Sequence, residues 1–475
     1  MASTAQRSTT EESITPEPFS QTEMAALRSH LRGRACTRSD PGYDEARTIW
    51  NAMIDRHPRI VVRCVGAGDV IEAVRFANAH DLEISIRGGG HNIGGNAVGE
   101  GGLMIDLSPM KSVRVDPKAK RAWVEPGATL GDVDRETQHF GLVVPTGINS
   151  TTGIAGLTLG GGFGWLTRTF GMTIDSLVGA DIVTADGSLV RASQMENTDL
   201  FWAIRGGGGN FGVVTSFEFD LHAAGPEVFS GLIVHPFADA ADLLRQYRRV
   251  AADAPDELTI WCVMRKAPPL PFIPVEWHGR EVLIFAACFV GSNAEGEKAT
   301  KALRSIGKPI ADVMGAHPFV GWQAAFDPLL TPGARNYWKT HDFAALPDGA
   351  ISAITQAVSQ LPGPECEVFI AHVGGAMARV AADATAYPNR NAHFFMNVHT
   401  RWRDRSQDGS CVAWARDLFR ATAPFATGSG YVNFIPEDEP DRIEQVYGTN
   451  YRRLLEVKRR WDPQNRFHLN QNVRP

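Results

Sequence analysis

Apolar positions recur along this chain with two different periods. Met24, Leu27 and Leu31 share one face of a helical wheel and predict a helix over residues 21–32. Residues 60–65, Ile-Val-Val-Arg-Cys-Val, form a short strand-type run. Asp69 then stands as the N-cap of a helix carrying Val70, Ile71, Val74 and Ala77. A strand opens at Ile84, and further strands are predicted over 103–107, 177–184 and 213–219. Residues 113–116 and 121–127 read as a hairpin, and 130–140 as a helix.

The texture changes after about residue 225. Strand-like runs fall at 228–234, 258–264, 282–290, 366–372 and 393–400, with helical stretches at 295–305, 351–360 and 411–421. Strands in series with intervening helices predict an antiparallel sheet covered on one face, an α+β arrangement. The proline-rich stretch from Lys266 to Pro274 is stiff and reads as an edge or lid, or more simply as a plain surface connection. Tyr451 to Trp461 reads as an amphipathic helix with Leu454, Leu455 and the Lys458 stem packed inward.

Three glycine clusters interrupt these patterns. The first follows the Ile84 strand: Arg87-Gly-Gly-Gly-His91-Asn92-Ile-Gly-Gly-Asn96. Glycine admits positive φ and removes every Cβ from an approach path. Successive bare N–H groups in such a turn hold phosphate or pyrophosphate, and His91 sits at the tip. In a dinucleotide-binding Rossmann unit the glycines open a helix. Here Gly99-Glu-Gly-Gly and another strand follow, which argues against that arrangement. The second cluster spans Thr146 to Trp165. Its glycines are too costly to be helix filler, at up to about 1 kcal/mol each. The third spans Phe201 to Val214. Together they describe backbone pressed against a large flat or charged ligand.

A length of 475 residues favours two domains. A net charge of −6 argues against a general nucleic-acid binder, and no apolar run reaches membrane-spanning length. Residues 1–20 are polar, lack the apolar stretch of a secretory signal and read as a disordered tail. The six cysteines include no CxxC pair, which fits a reducing, cytoplasmic setting and gives no zinc or other metal site. No catalytic-triad spacing, HExxH or Walker A sequence stands out.

The motifs Arg-Gly-Gly-Gly-His-Asn (87–92), Gly-Leu-Thr-Leu-Gly-Gly-Gly-Phe-Gly-Trp (156–165) and Asp-Leu-Phe-Trp-Ala-Ile-Arg-Gly-Gly-Gly-Gly-Asn-Phe-Gly (199–212), in this order, resemble the FAD-binding domain of the vanillyl-alcohol oxidase/p-cresol methylhydroxylase fold. Within that fold the chain is similar to berberine-bridge-enzyme-like oxidases. The resemblance covers about 59–222 and resumes at the C-terminus, with Tyr431-Val-Asn-Phe, Tyr447-Gly-Thr-Asn and Trp461-Asp-Pro-Gln-Asn-Arg-Phe.

With the polar tail over 1–20, the resemblance implies a two-part FAD-binding domain over 21–224 with a p-cresol-methylhydroxylase-type core at about 58–224, a substrate domain over 225–428, and a return to the FAD domain over 429–475. It implies FAD contacts from Arg87, Gly88, Gly89, Gly90, His91, Asn92, Gly153, Gly156, Thr158, Gly161, Gly164, Val214, Asn470 and Asn472. His91 takes the position that bonds covalently to the flavin 8-methyl group. Relatives with a second link use a cysteine where this chain has Asn149, so a single link is expected. Many also carry a histidine near the flavin pyrimidine edge where this chain has Leu157. Both departures match the 6-hydroxy-D-nicotine oxidase-like subgroup.

The implied function is hydride transfer from an alcohol or amine C–H of a small molecule to FAD, with dioxygen as reoxidant and peroxide as product. Tyr431 on the substrate side and His393 on a predicted strand are the candidate bases. A dehydrogenase with another electron acceptor and a non-catalytic flavin-binding protein remain the alternatives. The sequence leaves substrate and oligomeric state open.

Overall fold

The computed structural model describes residues 19–475. Of the expected tail, only Phe19 and Ser20 lie within them, and both belong to the fold. Ser20 and Glu23 form a reciprocal capping box that starts the helix Gln21–His30. Phe19 packs edge-on against Phe76, under the Arg59 guanidinium.

A four-stranded sheet follows in the order Arg34–Cys36, Ile60–Arg63, Leu103–Asp106, Ile84–Arg87. Its last three strands are parallel. The helix Ala67–Ala79 makes the crossover and buries Val70, Ala73, Val74 and Ala77. Asp69 is not its N-cap: Gly66 is, and Asp69 sits in the first turn. Its carboxylate instead accepts N–H bonds from Arg32, Gly33 and Val65, tying three segments together.

The second sheet is antiparallel, in the order Val113–Asp116, Arg121–Val124, Val213–Asp220, Leu177–Val183, Leu189–Ser193. The C-terminal segment packs on this unit. Val432, Ile435, Val446, Leu454 and Val473 share one core with Phe217, Phe219 and Ala122. Lys458, on the helix Tyr451–Trp461, buries its ammonium group as well as its stem. Nζ donates to Asp462 at 2.6 Å and to the carbonyls of Asn210 and Phe467.

The third sheet is the antiparallel one expected after residue 225. Its main order is Ala311–Asp312, Glu227–Pro236, Glu281–Phe289, Leu258–Lys266, Glu367–His372, Phe394–Trp402, Arg335–Phe343. The helices Ala240–Ala252, Asn293–Arg304, Asp348–Val358 and Asp408–Thr422 pack on one face. The other face is aromatic and meets the glycine-rich unit through Phe163, Trp165, Trp261, Phe369, Phe395 and Tyr431. A sheet covered on both sides buries both side-chain sets, and all nine residues of Phe394–Trp402 are buried.

Two long elements of the third-sheet unit escape the hydrophobic pattern. The strand Arg335–Phe343 carries Asn336, Lys339, Thr340, His341 and Asp342, all buried. Their polarity hides the strand's period. The helix Ala240–Ala252 is amphipathic but lies in a stretch left unassigned between two strong strand signals.

Candidate active site

The glycine-rich unit and the aromatic face of the third sheet enclose a cavity of about 340 Å³. One wall starts on the strand Ile84–Arg87. Alternation sends Ile84 and Ile86 into the cavity and Arg87 away from it. Arg87 instead pairs with Asp106 at 3.0 and 3.1 Å and donates to the Thr48 carbonyl. Its role is to brace the turn. Gly88, Gly89, Gly90, His91 and Asn92 then line the cavity.

The first and second glycine clusters touch backbone to backbone. A Cβ at Gly89 would lie 2.4 Å from the Gly153 nitrogen, and one at Gly153 equally close to the Gly89 nitrogen. From the second cluster Gly153, Gly156 and Leu157 reach the cavity. Thr158 is buried behind them, and Gly161 and Gly164 do not line the space. Gly161 has φ +126° and packs against Met172, Tyr387 and Tyr431, while a Cβ at Gly164 would meet the Thr146 carbonyl at 2.1 Å. These two glycines serve packing. The third cluster contributes Gly208, Gly209 and Gly212, followed by Val213 and Val214. Asn470 lines the cavity with a buried, unpartnered Oδ1; Asn472 lies outside it.

His91 stacks on Trp50, with centroids 5.2 Å apart and planes 20° from parallel. Trp50 is fixed by its indole N–H to the Leu330 carbonyl and its backbone N–H to the Gly90 carbonyl. Nε2 of His91 lies 3.2 Å from Thr151 Oγ1. Burial pushes the imidazole pKa down to about 4, so the ring is neutral at pH 7.

Tyr431, from the C-terminal segment, also lines the cavity. Its Oη accepts the Gly162 N–H at 2.9 Å and an Asn433 Nδ2–H at 3.1 Å. Burial pushes its pKa up to about 12, so at neutral pH it is a hydroxyl donor and not a ready base. His393 is exposed, precedes the strand Phe394–Trp402 and does not line the cavity. The structure does not bring it to the site.

A polar row crosses the largely apolar wall. Strand register sets Arg265 beside Glu367, Glu367 beside His399, and His399 beside Trp338. Arg265 Nη1 donates to Glu367 Oε2 at 2.7 Å, and His399 Nδ1 lies 3.3 Å from Glu367 Oε1. Burial works to raise the Glu367 pKa, but the Arg265 charge and the hydrogen bond from His399 outweigh it and hold it at about 2. Nε2 of His399 and both polar atoms of Asn397 are buried without partners. All four side chains line the cavity. Sequence reasoning missed them. Arg265 and Glu367 stand at the ends of two apolar strands, where a charge is ordinary, so no local signal marks them. The connection Lys266 to Pro274 is also more than a surface link, since Pro268 and Leu270 line the cavity.

Comparison with known proteins decides the family. Residues 58–193 match the FAD binding domain model, and 430–474 match the berberine and berberine-like model. The uncharacterized FAD-linked oxidoreductase YgaK of Bacillus subtilis is 34% identical over 94% of this chain and 98% of its own. The chain belongs to the berberine-bridge-like FAD-linked oxidoreductases. Another member of this family, (R)-6-hydroxynicotine oxidase of Paenarthrobacter nicotinovorans, is 29% identical over 94% of this chain and 97% of its own. The crystal structure of 6-hydroxy-D-nicotine oxidase from Arthrobacter nicotinovorans superposes with a TM-score of 0.85 at 27% identity, covering 94% of this chain and 98% of that one. For a berberine-bridge-like oxidoreductase the site must accept FAD, and the residues present fit it. Glycine backbone lines the cavity, with open space where a Cβ at Gly156 or Gly209 would stand, a neutral histidine stands at its rim, and Asn470 presents an unsatisfied buried oxygen.

Proposed function

We propose that this berberine-bridge-like oxidoreductase is an oxidase. It holds FAD by one covalent bond from His91 and oxidises a small alcohol or amine with an apolar, aromatic body. Bound FAD supplies the acceptor for a substrate hydride, and dioxygen restores it with release of peroxide.

In this reading the bare backbone of Gly88 to Gly90, with Asn92, receives the pyrophosphate. Gly153, Gly156, Leu157, Val214 and Asn470 flank the ring system. Trp261, Phe369, Trp338 and Phe434 stack on the substrate and exclude water. Asn397 then offers a donor and an acceptor to the substrate's single polar group. His399 donates Nδ1–H to the ionised Glu367 carboxylate, and its Nε2 lone pair takes the proton of the substrate O–H or N–H. Tyr431 donates a hydrogen bond.

The observation that carries this reading is the shared cavity. The glycine cradle, His91, the unpartnered Nε2 of His399 and the unpartnered amide of Asn397 all line this one cavity. The relative named (R)-6-hydroxynicotine oxidase supports both an oxidase and a heteroaromatic substrate. The test is anaerobic addition of aromatic secondary amines and benzylic alcohols to the flavin-loaded protein, followed by air. An oxidase bleaches, then recolours with equimolar peroxide. Flavin that bleaches and stays reduced in air identifies a dehydrogenase. Flavin that no compound bleaches contradicts the proposed substrate class.

A further inference from the structure

The reactive end of His91 is set by two neighbours that have no other evident task. Thr151 and Asn149 sit in the turn before Gly153, and Asn149 lines the cavity. Asn149 Oδ1 lies 3.0 Å from the Thr151 backbone N–H and 2.7 Å from Thr151 Oγ1. The backbone N–H is only a donor, so the amide must present its oxygen, not its NH₂, to Thr151. An amide oxygen is only an acceptor, so the 2.7 Å contact requires the single Thr151 hydroxyl proton to point at Asn149. Any other placement sets two lone pairs against each other. The Thr151 oxygen therefore faces His91 Nε2, 3.2 Å away, as an acceptor. Nε2 must carry the imidazole proton.

A neutral imidazole has one N–H, and here it is committed to Thr151. Nδ1 is then the nitrogen that keeps its lone pair. The Trp50 stack fixes the plane of the ring, and the Thr151 bond fixes its rotation within that plane. We infer that Asn149 and Thr151 form a tautomer lock, positioning residues that make Nδ1 of His91 the nitrogen that tethers the cofactor. This rests on the His91 tether proposed above. Low basicity supports it, since an imidazole that stays neutral keeps its lone pair available.

The bond-forming step balances within the pair. One C–H bond of the flavin 8-methyl group breaks, and Nδ1 bonds to that carbon with its lone pair. The carbon is oxidised by two electrons, which the flavin ring takes up. Two protons leave, one from the methyl group and one from Nε2 through Thr151, and join those electrons on the ring. Dioxygen then removes two electrons and two protons as peroxide. Asn149 stands where relatives with a second link place a cysteine, so in this chain that position serves the first link.

The test compares wild type, Thr151→Val and Thr151→Ser, each purified with its flavin and precipitated in acid. Flavin is measured in pellet and supernatant. The flavin peptide of the wild type is isolated by proteolysis, and its linkage nitrogen is assigned by ¹⁵N NMR. The expected result is an Nδ1 link in wild type, a covalent fraction reduced about tenfold in Thr151→Val, by analogy with other lost tautomer-fixing partners, and rescue by Thr151→Ser. A Thr151→Val protein with the wild-type covalent fraction overturns the lock while leaving the tether intact. A wild-type Nε2 link overturns it even if Thr151→Val does not fold. Flavin released entirely from wild type overturns the tether itself, and the lock with it.

Discussion

Nδ1 of His399 lies 3.3 Å from Oε1 of Glu367, inside a largely apolar wall. The pair is set by strand register, and Arg265 on the far side keeps Glu367 ionised. If Nε2 receives the substrate proton, His399→Gln slows flavin reduction by roughly 10²–10⁴-fold, the usual contribution of a general base. Covalent flavin content stays at the wild-type level, because His399 does not touch the tether. Anaerobic stopped-flow bleaching checks the first, and acid precipitation the second. Unchanged bleaching in His399→Gln removes it from the proton path.

The contact of Gly89 with Gly153 predicts intolerance of a single methyl group. A Cβ on either residue would lie 2.4 Å from the other's nitrogen, and neither backbone is free to yield. Gly153→Ala is expected to cost about 1–3 kcal/mol as an overpacking change and to lower bound FAD. Thermal melts and the flavin-to-protein absorbance ratio measure the two effects. Normal values of both contradict the cradle.

Asp134 gives a pH signature that is independent of the cofactor. Burial pushes its pKa up to about 7, against one opposing hydrogen bond from Gln323. The folded form holds its proton where the unfolded form, near pKa 3.8, has lost it. Stability from this site is therefore complete below about pH 4 and is lost as pH rises toward 7. Asp134→Asn removes that loss. The variant is expected to be more stable than wild type at pH 8 by about 2–4 kcal/mol, with the gap closing near pH 4. Denaturant melts at the two pH values measure it, and a gap independent of pH refutes it.

Lys458 anchors the C-terminal return. Its ammonium is fully buried, and its partners are Asp462 and the carbonyls of Asn210 and Phe467. Lys458→Met leaves the Asp462 carboxylate buried without its cation, at a cost of about 3–5 kcal/mol. The double variant Lys458→Met/Asp462→Leu is expected to recover much of that. Equilibrium denaturation separates the two, and equal stability of single variant and wild type counts against the anchor.

What the sequence shows and what it hides follow from where each constraint is written. The glycine clusters and His91 are legible because a bare backbone can be met only by composition. The strands of the third sheet are legible where their apolar residues are continuous. Arg87 is misplaced by motif reading because alternation along a four-residue strand turns it toward Asp106. Gly161 and Gly164 share a motif with cavity glycines but answer to Tyr431 and Thr146. His393 looked like a site residue because a strand was expected to begin there; the strand begins at Phe394, and the histidine is exposed. The Arg265–Glu367–His399 row is beyond sequence reading. It joins residues up to 134 positions apart through a register that no local pattern encodes.

The central claim is that His91 carries FAD through one covalent bond. Acid precipitation of wild type and His91→Ala, with flavin fluorescence read in pellet and supernatant, tests it most directly. A covalent link at His91 gives a yellow, fluorescent wild-type pellet and a His91→Ala protein that releases its flavin to the supernatant. Flavin released from wild type contradicts the covalent bond, and flavin retained in the His91→Ala pellet contradicts His91 as its only site.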